Sequence, residues 1–367
     1  MINIKGLSLA ELEEFIGNCG SEKYRARQIF KWLNQRSAES IDSMTDLSKK
    51  FREELKQIAL IKKITLAETK KDAADNSKKL LFILEDGNFI ESVIIPENDR
   101  TTLCVSTQCG CALKCKFCAT GQAVGFVRNL EAYEILDQIL FSKQIIETEG
   151  KALTNIVFMG MGEPFNNYEN TIKICDIVSS EFGLHFGANR ITVSTAGIVP
   201  EIYKFAECPK RYELAVSLNA TSDDLRSELM PINKKYGLSE LLKALKYYSN
   251  KKNKNILTFE YVMLKGVNDS EKCLSELISI CKKINCKVNL IKFNPTEFAD
   301  FKPSDESVMN EFFDRLNFNK IRAIIRRSKG SNINAACGQL AGTKPCVIYP
   351  NAGMRFQKVP STHLRQK

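Results

Sequence analysis

The spacing of hydrophobic residues changes twice along the chain. At the start, apolar side chains recur every three or four positions, which is typical of amphipathic helices. Ser8 precedes residues 9–15 in the pattern of a capping box, and residues 24–33 place their apolar side chains on one face. We therefore predict a small helical N-terminal domain over residues 1–60.

The next segment alternates between apolar and polar residues with a period of two, as strands do. Runs at 79–84 and 88–96 flank the sequence Glu-Asp-Gly-Asn at 85–88, which favours a hairpin turn. Residues 61–100 are accordingly predicted to form a β connector.

Candidate strands and helices alternate from residue 101 onward. The strands are expected at 103–106, 155–159, 190–194, 213–217, 257–263 and 287–293, with 321–326 as a possible addition. Helices are expected between them, for example at 130–146, 169–179, 238–250 and 271–284. This alternation predicts a parallel sheet.

About six βα units are too few for a closed eight-stranded barrel. We therefore predict an α/β fold in which residues 101–342 form a partial (β/α)6 barrel, with the active site at the carboxyl ends of the strands. A doubly wound sheet is the alternative. Residues 343–367 are expected to be a basic C-terminal tail.

The charge balance favours a polyanionic partner. The 367 residues include 53 Lys and Arg against 43 Asp and Glu, a formal net charge of +10. A lysine-rich proteome gives the same excess, so charge alone does not decide. Arg25, Arg27 and the run at 325–329 are candidate RNA contacts, although a solvated helix face also explains the first two.

Cysteine usage points to a reducing compartment. Thirteen cysteines in a chain of this length do not make a small disulfide scaffold. The first residues lack an apolar signal region, and no run has the length of a transmembrane helix. We expect a cytoplasmic protein without a membrane, in which clustered cysteines indicate metal binding or catalysis.

Three cysteines form the most specific motif. Cys111, Cys115 and Cys118 have the spacing Cys-x3-Cys-x2-Cys, which supplies one thiolate fewer than a four-iron cluster has irons. The open iron of such a cluster binds S-adenosylmethionine (SAM). The alternative is a structural zinc site with Cys109 as a fourth ligand, because the chain has only two histidines and neither lies in a cysteine-rich segment.

A second group of polar residues follows the candidate strands. Gly162 and Glu163 lie in a Gly-Met-Gly-Glu-Pro sequence, where glycines allow close approach of a ligand and the carboxylate can hold an ammonium group. Further polar positions at strand ends are Ser194, Ser217, Asn219 and Asn294. Serine and asparagine are also ordinary turn residues. The four positions together are therefore stronger evidence for a binding site at the strand ends than any one of them is alone.

These segments together resemble the radical-SAM RNA methyltransferases that methylate an adenine carbon, the RlmN/Cfr family. The matching segments lie at 103–111, 160–164, 191–197, 229–233, 266–269 and 335–340. The likeness covers almost the whole chain. The sequences Gly-Met-Gly-Glu-Pro and Val-Ser-Thr-Ala-Gly resemble the branch that methylates C2, whereas the C8-methylating, antibiotic-resistance branch tends to lack that proline.

The resemblance implies a role for individual residues. Cys111, Cys115 and Cys118 would ligate a [4Fe-4S] cluster. The SAM contacts would be Gly162, Glu163, Ser194, Ser217, Leu218, Asn219 and Asn294, with Asn219 standing where the family often has histidine. Cys337, in a mobile C-terminal loop, would be the S-methylcysteine carrier, Cys104 its resolving partner in a transient disulfide, and Glu91 the proton acceptor. The N-terminal domain would resemble a helix-hairpin-helix.

The resemblance also implies the substrates and partners. The target would be C2 of adenine 2503 in 23S rRNA, at the peptidyl-transferase centre, and of adenine 37 in tRNA. Each turnover would use two SAM molecules and a low-potential electron donor of the flavodoxin or ferredoxin type, and we expect a monomer. Two other classes remain open: a radical-SAM activase, and a zinc-stapled RNA-binding module without enzymatic activity.

Overall fold

The structure is a computed structural model that describes residues 1–123, 125–252 and 257–342. The tail predicted at 343–367 lies outside the described residues. Within the described ranges, the helices are all too short or too polar to cross a membrane.

Fourteen strands and eleven helices make up the described chain. The strands are β1 (Ile2–Asn3), β2 (Ala59–Leu60), β3 (Thr65–Lys71), β4 (Lys78–Ile83), β5 (Phe89–Glu97), β6 (Arg100–Cys104), β7 (Gln108–Gly110), β8 (Phe126–Asn129), β9 (Asn155–Phe158), β10 (Ile191–Thr195), β11 (Glu213–Ser217), β12 (Leu257–Met263), β13 (Cys286–Lys292) and β14 (Arg322–Arg326). The helices are α1 (Leu9–Asn18), α2 (Lys23–Asn34), α3 (Lys49–Ile58), α4 (Ala119–Ala123), α5 (Ala132–Thr148), α6 (Tyr168–Ser179), α7 (Val199–Glu207), α8 (Asp223–Leu229), α9 (Leu238–Lys251), α10 (Glu271–Cys281) and α11 (Glu306–Phe318).

The first three helices form around the predicted signals. Glu11 N donates to Ser8 Oγ at 3.2 Å and Ser8 N donates to Glu11 Oε2 at 2.7 Å, which confirms the capping box. Helix α2 buries Ile29 and Phe30 on its apolar face. The short parallel pair of β1 and β2 brings the two ends of this segment together.

One ten-stranded sheet runs through the rest of the chain, in the order β14-β13-β12-β11-β10-β9-β6-β5-β4-β3. Strands β4 and β5 form the predicted antiparallel hairpin, with Lys78 opposite Ile94 and Ile83 opposite Phe89. Strand β5 also pairs with β6, so the connector strands continue the barrel sheet.

The six predicted barrel strands and the possible seventh are all present, as β6 and β9–β14, with ends shifted by a few residues. Neighbouring strands are parallel and follow chain order. A doubly wound sheet reverses its strand order part-way, so that alternative is wrong. Strands β14 and β3 are the edges of the sheet, which leaves it open, and the partial barrel is confirmed.

A buried ion pair joins the N-terminal segment to the barrel. Lys5 is 6% exposed and its ammonium group pairs with the carboxylate of Asp137 on α5, which is fully buried. Asp137 Oδ2 also accepts a hydrogen bond from Ile64 N at 2.9 Å. Burial raises the pKa of Asp137, and Lys5 opposes that shift. Gly6 lies so close to α5 that a Cβ there would be 2.6 Å from Tyr133 N.

Replacing Lys5 by methionine should lower the free energy of unfolding by about 3 to 5 kcal/mol, because it leaves the carboxylate of Asp137 buried without its cation. The measurement is chemical denaturation of the full-length chain. The control is Lys50→Met, since the side chain of Lys50 is 88% exposed; it should change stability by less than about 0.5 kcal/mol. The double variant Lys5→Met, Asp137→Leu should be more stable than Lys5→Met alone. Equal decreases in the free energy of unfolding for the Lys5 and Lys50 variants would contradict a stabilising role of the Lys5–Asp137 ion pair.

Candidate active site

A cavity of about 1180 Å³ occupies the inside of the partial barrel. Inward-facing residues of the strands form its wall, including Glu260 and Asn289 on β12 and β13. At the carboxyl ends of the strands it reaches Cys118, Cys104 and Cys337. The predicted carrier, its predicted resolving partner and one predicted cluster ligand therefore line the same cavity.

The cluster loop, residues 111–118, is held by backbone contacts on two sides. Cys111 N donates to Gly125 O at 2.7 Å, and Lys116 N donates to Leu229 O at 2.9 Å. Gly110, directly before the loop, has φ +75°, and a Cβ there would be 1.7 Å from Gly125 O. Glycine is therefore required at position 110 for the loop to pass so close to the following hairpin.

The three predicted ligand thiols lie in one another's electrostatic field. Burial raises the pKa of Cys111 to about 12 and that of Cys115 well above its usual range, and the neighbouring thiols and Glu163 act in the same direction. Because burial disfavours the thiolate form, these two thiols stay protonated when no metal is bound. Metal binding must therefore displace their protons. Three soft sulfur donors in a short loop fit an iron–sulfur cluster.

The zinc alternative finds little support in this geometry. Cys109 Sγ contacts Phe89 O at 3.8 Å, and its charged neighbours are Arg128, Asp86 and Glu134 rather than the other thiols. Among the described residues, no group of three or more His, Cys, Asp or Glu side chains is placed to hold a single metal ion. Ligands to different irons of a cluster stand farther apart than those around one ion.

The Gly-Met-Gly-Glu segment packs tightly against the end of β6 and the start of β7. A Cβ on Gly160 would be 2.6 Å from Ser106 Oγ, and one on Gly162 would be 2.5 Å from Gln108 Cβ. The space that glycine leaves open is thus filled by neighbouring protein. Glycine is therefore needed here for packing within the protein, and the predicted SAM contact of Gly162 stays a prediction.

Glu163 is 3% exposed. Its Oε1 accepts a hydrogen bond from Phe165 N at 3.0 Å and its Oε2 accepts one from Ala196 N at 2.7 Å. Burial raises the pKa of Glu163 to about 7, against the opposing effect of these hydrogen bonds. The Thr195 side chain also hydrogen-bonds to Glu163. A carboxylate has about four acceptor positions, so about one remains for an ammonium group.

A buried guanidinium ties the next two strand ends together. Arg226 on α8 is 0% exposed. It donates to Ala196 O at 2.6 Å, to Ser217 O at 3.2 Å, to Leu218 O at 3.2 Å and to Asn233 Oδ1 at 2.9 Å. Burial lowers the pKa of Arg226 to about 10, while Cys115 raises it. Arg226 therefore stays charged at neutral pH, close to the cluster loop.

The predicted SAM residues differ in accessibility. Ser194 and Ser217 are half-buried, and Ser194 Oγ donates to Phe158 O at 2.6 Å. Leu218 is fully buried, and Asn219 is 1% exposed. Asn219 Oδ1 accepts from Val262 N at 2.9 Å, and the residue has φ +54°, a conformation that asparagine tolerates. Asn219 thus fastens neighbouring strand ends.

Asn294 is the one of the predicted SAM residues that lines the large cavity. Its side-chain amide donates to Cys337 O at 3.2 Å. Ala119 N donates to Gly338 O at 2.8 Å and Thr120 Oγ1 donates to Leu340 O at 2.7 Å. The loop of Cys337 is therefore attached both to the barrel rim and to α4, directly after the last cluster cysteine.

Glu91 anchors the far end of the same loop. It is 3% exposed, and its Oε2 accepts hydrogen bonds from Ala341 N at 3.0 Å and Gly342 N at 3.2 Å. Its Oε1 pairs with Lys79 Nζ at 3.0 Å. Through residue 342 the loop is held by hydrogen bonds on three sides, and its mobility stays a prediction. The proton-acceptor role of Glu91 stays a prediction.

Cys104 and Cys337 are electrostatic neighbours in the cavity. Burial raises the pKa of Cys104 to about 12; Cys337 adds to the shift, and Arg326 opposes it. Cys337 is exposed. The accessible thiol is thus the predicted methyl carrier, and the buried one is the predicted resolving cysteine.

The chain is similar to known proteins over most of its length. The family model of the ribosomal RNA large subunit methyltransferase N-terminal domain matches residues 2–61, and that of the radical SAM superfamily matches residues 105–277. A probable dual-specificity RNA methyltransferase RlmN from Thermoanaerobacter sp. is 43% identical over 340 residues, covering 93% of this chain and 98% of the relative. The dual-specificity RNA methyltransferase RlmN of Syntrophus aciditrophicus is 46% identical, covering 93% of this chain and 97% of its own. The chain belongs to the RlmN family of radical SAM methyltransferases.

A solved structure supports the assignment to the RlmN family. A radical SAM methyltransferase from Sphaerobacter thermophilus has a TM-score of 0.88 and 43% sequence identity, covering 94% of this chain and 100% of its own.

The candidate RNA-contacting residues of this RlmN-family chain fall into two groups. Arg25 lies over the ring of Phe51, with 4.7 Å from its guanidinium carbon to the ring centroid, and is partly buried. Arg326 lines the barrel cavity and faces Glu260. Both are only partly accessible, and their contact with RNA stays a prediction. Arg27 and Arg327 are exposed and remain candidates.

Sequence reasoning missed the two arginines on which the site is built. In the sequence Asp-Asp-Leu-Arg, Arg226 has the pattern of an exposed charged residue on a helix. Nothing in that pattern indicates that its side chain is buried. Arg326 was grouped with a basic run, although the alternation of Arg322, Ile324 and Arg326 along β14 would have put it on one face of the strand.

Replacing Arg226 by methionine should lower the free energy of unfolding by about 3 to 5 kcal/mol, because three backbone carbonyls and Asn233 lose their donor inside the protein. Arg226→Lys should also be strongly destabilised, since one ammonium group does not span all four acceptors. The measurement is denaturant unfolding of the full-length chain, with the exposed Arg211→Met as the matched control. If Arg226→Met lowers the free energy of unfolding no more than the control does, the hydrogen bonds of Arg226 do not stabilise the site as described.

Proposed function

We propose that this protein is an RNA methyltransferase that transfers a methyl group from SAM to C2 of an adenine, through a methylated Cys337 and a transient disulfide. The substrates are adenine 2503 of 23S rRNA and adenine 37 of tRNA. The observation that carries the proposal is the meeting of Cys337, Cys104 and Cys118 in one cavity.

Cys111, Cys115 and Cys118 would hold the [4Fe-4S] cluster, and Gly162, Glu163, Ser194, Ser217, Leu218, Asn219 and Asn294 would surround SAM. Glu163 would receive the ammonium group of SAM. For Leu218, which is buried, the contact would be through backbone atoms. When bound, the cluster would supply the electron that cleaves a second SAM molecule, giving a radical that removes hydrogen from the methyl group on Cys337.

A cysteine that carries the methyl group is needed because adenine C2 cannot take this group from SAM directly. Adenine C2 lies between two ring nitrogens and is electron-poor, so it does not attack the sulfonium of SAM. A thiolate is a good nucleophile and accepts that methyl group readily. Cys337 is the exposed thiol in the cavity, so SAM can reach it. The methyl carbon on Cys337 is then placed for addition to a base in the same cavity.

The adduct of the carbon radical with C2 would first return one electron to the oxidised cluster, and Cys104 would then release the product. Its sulfur attacks the sulfur of Cys337, an S–S bond forms, and the bond from Cys337 to the transferred carbon breaks. The disulfide must then be reduced before another turnover. Either Cys104 or Glu91 would remove the proton from C2. Burial keeps the thiol of Cys104 protonated at rest, so its proton must leave before its sulfur can accept the C2 proton or attack Cys337.

RNA would reach the cavity with its target base unstacked. Exposed Arg27 and Arg327 would contact phosphates, so RNA binding should weaken with salt. The electron donor would be a flavodoxin or ferredoxin, and the protein would work as a cytoplasmic monomer.

The test is nucleoside mass spectrometry after anaerobic reaction of the cluster-loaded protein with SAM, reductant and a protein-free 23S rRNA fragment or tRNA. We expect 2-methyladenosine from the wild-type protein and none from Cys337→Ala. Cys104→Ala should accumulate RNA covalently linked to the protein, because the adduct is not resolved. The matched control is Cys19→Ala, an exposed cysteine on the N-terminal segment, which should retain activity.

Other products would change the proposal in distinct ways. Formation of 8-methyladenosine would move the chain to the C8 branch. Methylation by Cys337→Ala would remove the carrier role. Cleavage of SAM without any methylated nucleoside would keep the radical chemistry and overturn the RNA substrate.

SAM binding should depend on the ionisation of Glu163. Its pKa is raised to about 7, so below that pH the free protein carries a neutral acid there. An ammonium ligand favours the carboxylate, so SAM affinity should fall as pH drops below about 7, approaching tenfold per pH unit for a single proton. Calorimetric titration of SAM between about pH 5.5 and 7 measures this slope. Glu163→Gln should bind weakly with no slope, and an equal slope in both proteins would contradict the contact.

A further inference from the structure

The Cys337 loop, residues 334–342, is held at both of its ends by one ion pair on the sheet. At its start, Asn334 O accepts a hydrogen bond from Lys79 Nζ at 3.2 Å. At its end, the last two backbone N–H groups donate to Glu91 Oε2. Lys79 Nζ lies 3.0 Å from Glu91 Oε1, and the two side chains are 13% and 5% exposed. The ends of the loop are therefore joined through an ion pair that is largely shielded from water.

Lys79 belongs to the row of the sheet that carries the predicted resolving cysteine. Lys79 on β4 lies opposite Val93 on β5, and Val93 lies opposite Cys104 on β6. Directly opposed residues of antiparallel strands point to the same face, so Lys79 and Cys104 share a face, with their Cα atoms about 10 Å apart. Lys79 therefore fixes the start of the Cys337 loop relative to the strand position that holds the other thiol.

A second attachment holds the segment that leads into the Cys337 loop. Gly330 N donates to Asp75 Oδ2 at 2.8 Å. Asn332 donates to Asp72 through its backbone N–H at 3.3 Å and through its side-chain amide at 3.1 Å. Asp72 and Asp75 lie in the turn between β3 and β4, where each carboxylate also accepts a backbone N–H of the turn itself. The turn is thus a preformed pair of acceptors for this segment.

These hydrogen bonds bring together the two edges of the open sheet. The segment follows directly after β14, which is one edge strand, and the turn follows directly after β3, which is the other. The chain beyond one edge is therefore attached to the other edge by side chains that bind backbone groups. Only a short stretch of chain separates this attachment from Cys337, so it limits how far the thiol can move.

Sulfur exchange requires the two thiols to meet in a narrow range of geometries. A disulfide needs its Cα atoms about 4.4 to 6.8 Å apart, and a freely moving loop would spend little time in that range. Cys104 is buried at the end of a strand, Cys337 is exposed in its loop, and both line the same cavity. The position of the loop therefore decides how often the thiols approach each other.

We propose that Lys79 and Asp75 are positioning residues for sulfur exchange between Cys104 and Cys337: they attach the start of the Cys337 loop to the β3–β4 hairpin and so raise the effective concentration of one thiol at the other. The role in turnover rests on the proposed function. There, the S–S bond forms as the bond from the Cys337 sulfur to the transferred carbon breaks, and the electron pair of that bond goes to the carbon, which takes up a proton. The effect on the thiol pair itself needs neither RNA nor SAM.

The experiment measures the equilibrium between the two thiols and their disulfide in glutathione redox buffers. The cluster-loaded, full-length protein is kept anaerobic without SAM or RNA. Acid stops the exchange, and peptide mass spectrometry quantifies the Cys104–Cys337 disulfide. Each disulfide formed converts one oxidised glutathione into two molecules of reduced glutathione, so the equilibrium constant gives the effective concentration of the two thiols.

Replacing Lys79 by methionine should lower this equilibrium constant about tenfold, because the start of the loop is released. Lys79→Arg should restore most of it, since a guanidinium can donate both to Glu91 and to a carbonyl group. The matched control is Lys78→Met. Lys78 is the preceding residue on β4, points to the opposite face and pairs with Glu149. This control also removes a largely buried, ion-paired lysine, but it should leave the equilibrium constant unchanged.

Asp75→Asn tests the second attachment independently. It keeps the shape of the side chain but replaces one carboxylate oxygen by an amide group, which cannot accept the hydrogen bond of Gly330 N. The equilibrium constant should again fall. Because Asp75 is only half-buried in a turn, this variant decides the matter if Lys79→Met fails to fold. With RNA and SAM present, both variants should accumulate RNA linked to the protein, as expected for Cys104→Ala.

Three results would overturn the proposal. They are an unchanged equilibrium constant in Lys79→Met and Asp75→Asn, an equal decrease in the Lys78→Met control, and a wild-type protein that forms no Cys104–Cys337 disulfide. Absence of methyladenosine from the wild-type protein would instead defeat the proposed function while leaving the effect of Lys79→Met on the thiol pair intact. The two failures are therefore distinguishable.

Discussion

The site depends on one buried guanidinium. Arg226 fixes the carbonyl groups that follow β10 and β11, where Ala196, Ser217 and Leu218 lie. Its helix also provides Leu229 O, which holds the cluster loop through Lys116 N. A barrel open on one side lacks the strand that would otherwise brace its rim, so the loops need another restraint. A fully buried cation with four acceptors supplies it, and it adds positive charge close to Cys115.

The connector strands matter for the same reason. Strand β5 pairs with β6 so that Val93 lies opposite Cys104. Glu91 is two residues from Val93 and therefore on the same face of the sheet as Cys104. The sheet extension thus brings a carboxylate to the cavity side of the first barrel strand, where it binds the end of the Cys337 loop. The hairpin of β4 and β5, which the sequence presents as a separate connector, therefore forms one wall of the site.

Periodicity in the sequence predicts the barrel well, because buried parallel strands are short apolar runs and each ends in polar residues. The cluster cysteines are equally readable, since their spacing is local. Arg226 and Arg326 are different. Their environment is created by loops and strands distant in the sequence, and an arginine that will be buried looks the same as one that will be solvated. The anchoring of Cys337 by Asn294 and Glu91 is likewise a long-range result that no local pattern contains.

Those anchors couple the two halves of the chemistry. Gly338 O accepts a hydrogen bond from Ala119 N, and Ala119 directly follows the cluster cysteine Cys118. One backbone hydrogen bond therefore joins the segment that follows Cys118 to the residue after Cys337. Asn294 and Glu91 hold the other sides of the Cys337 loop, so its backbone is fixed relative both to the sheet and to α4.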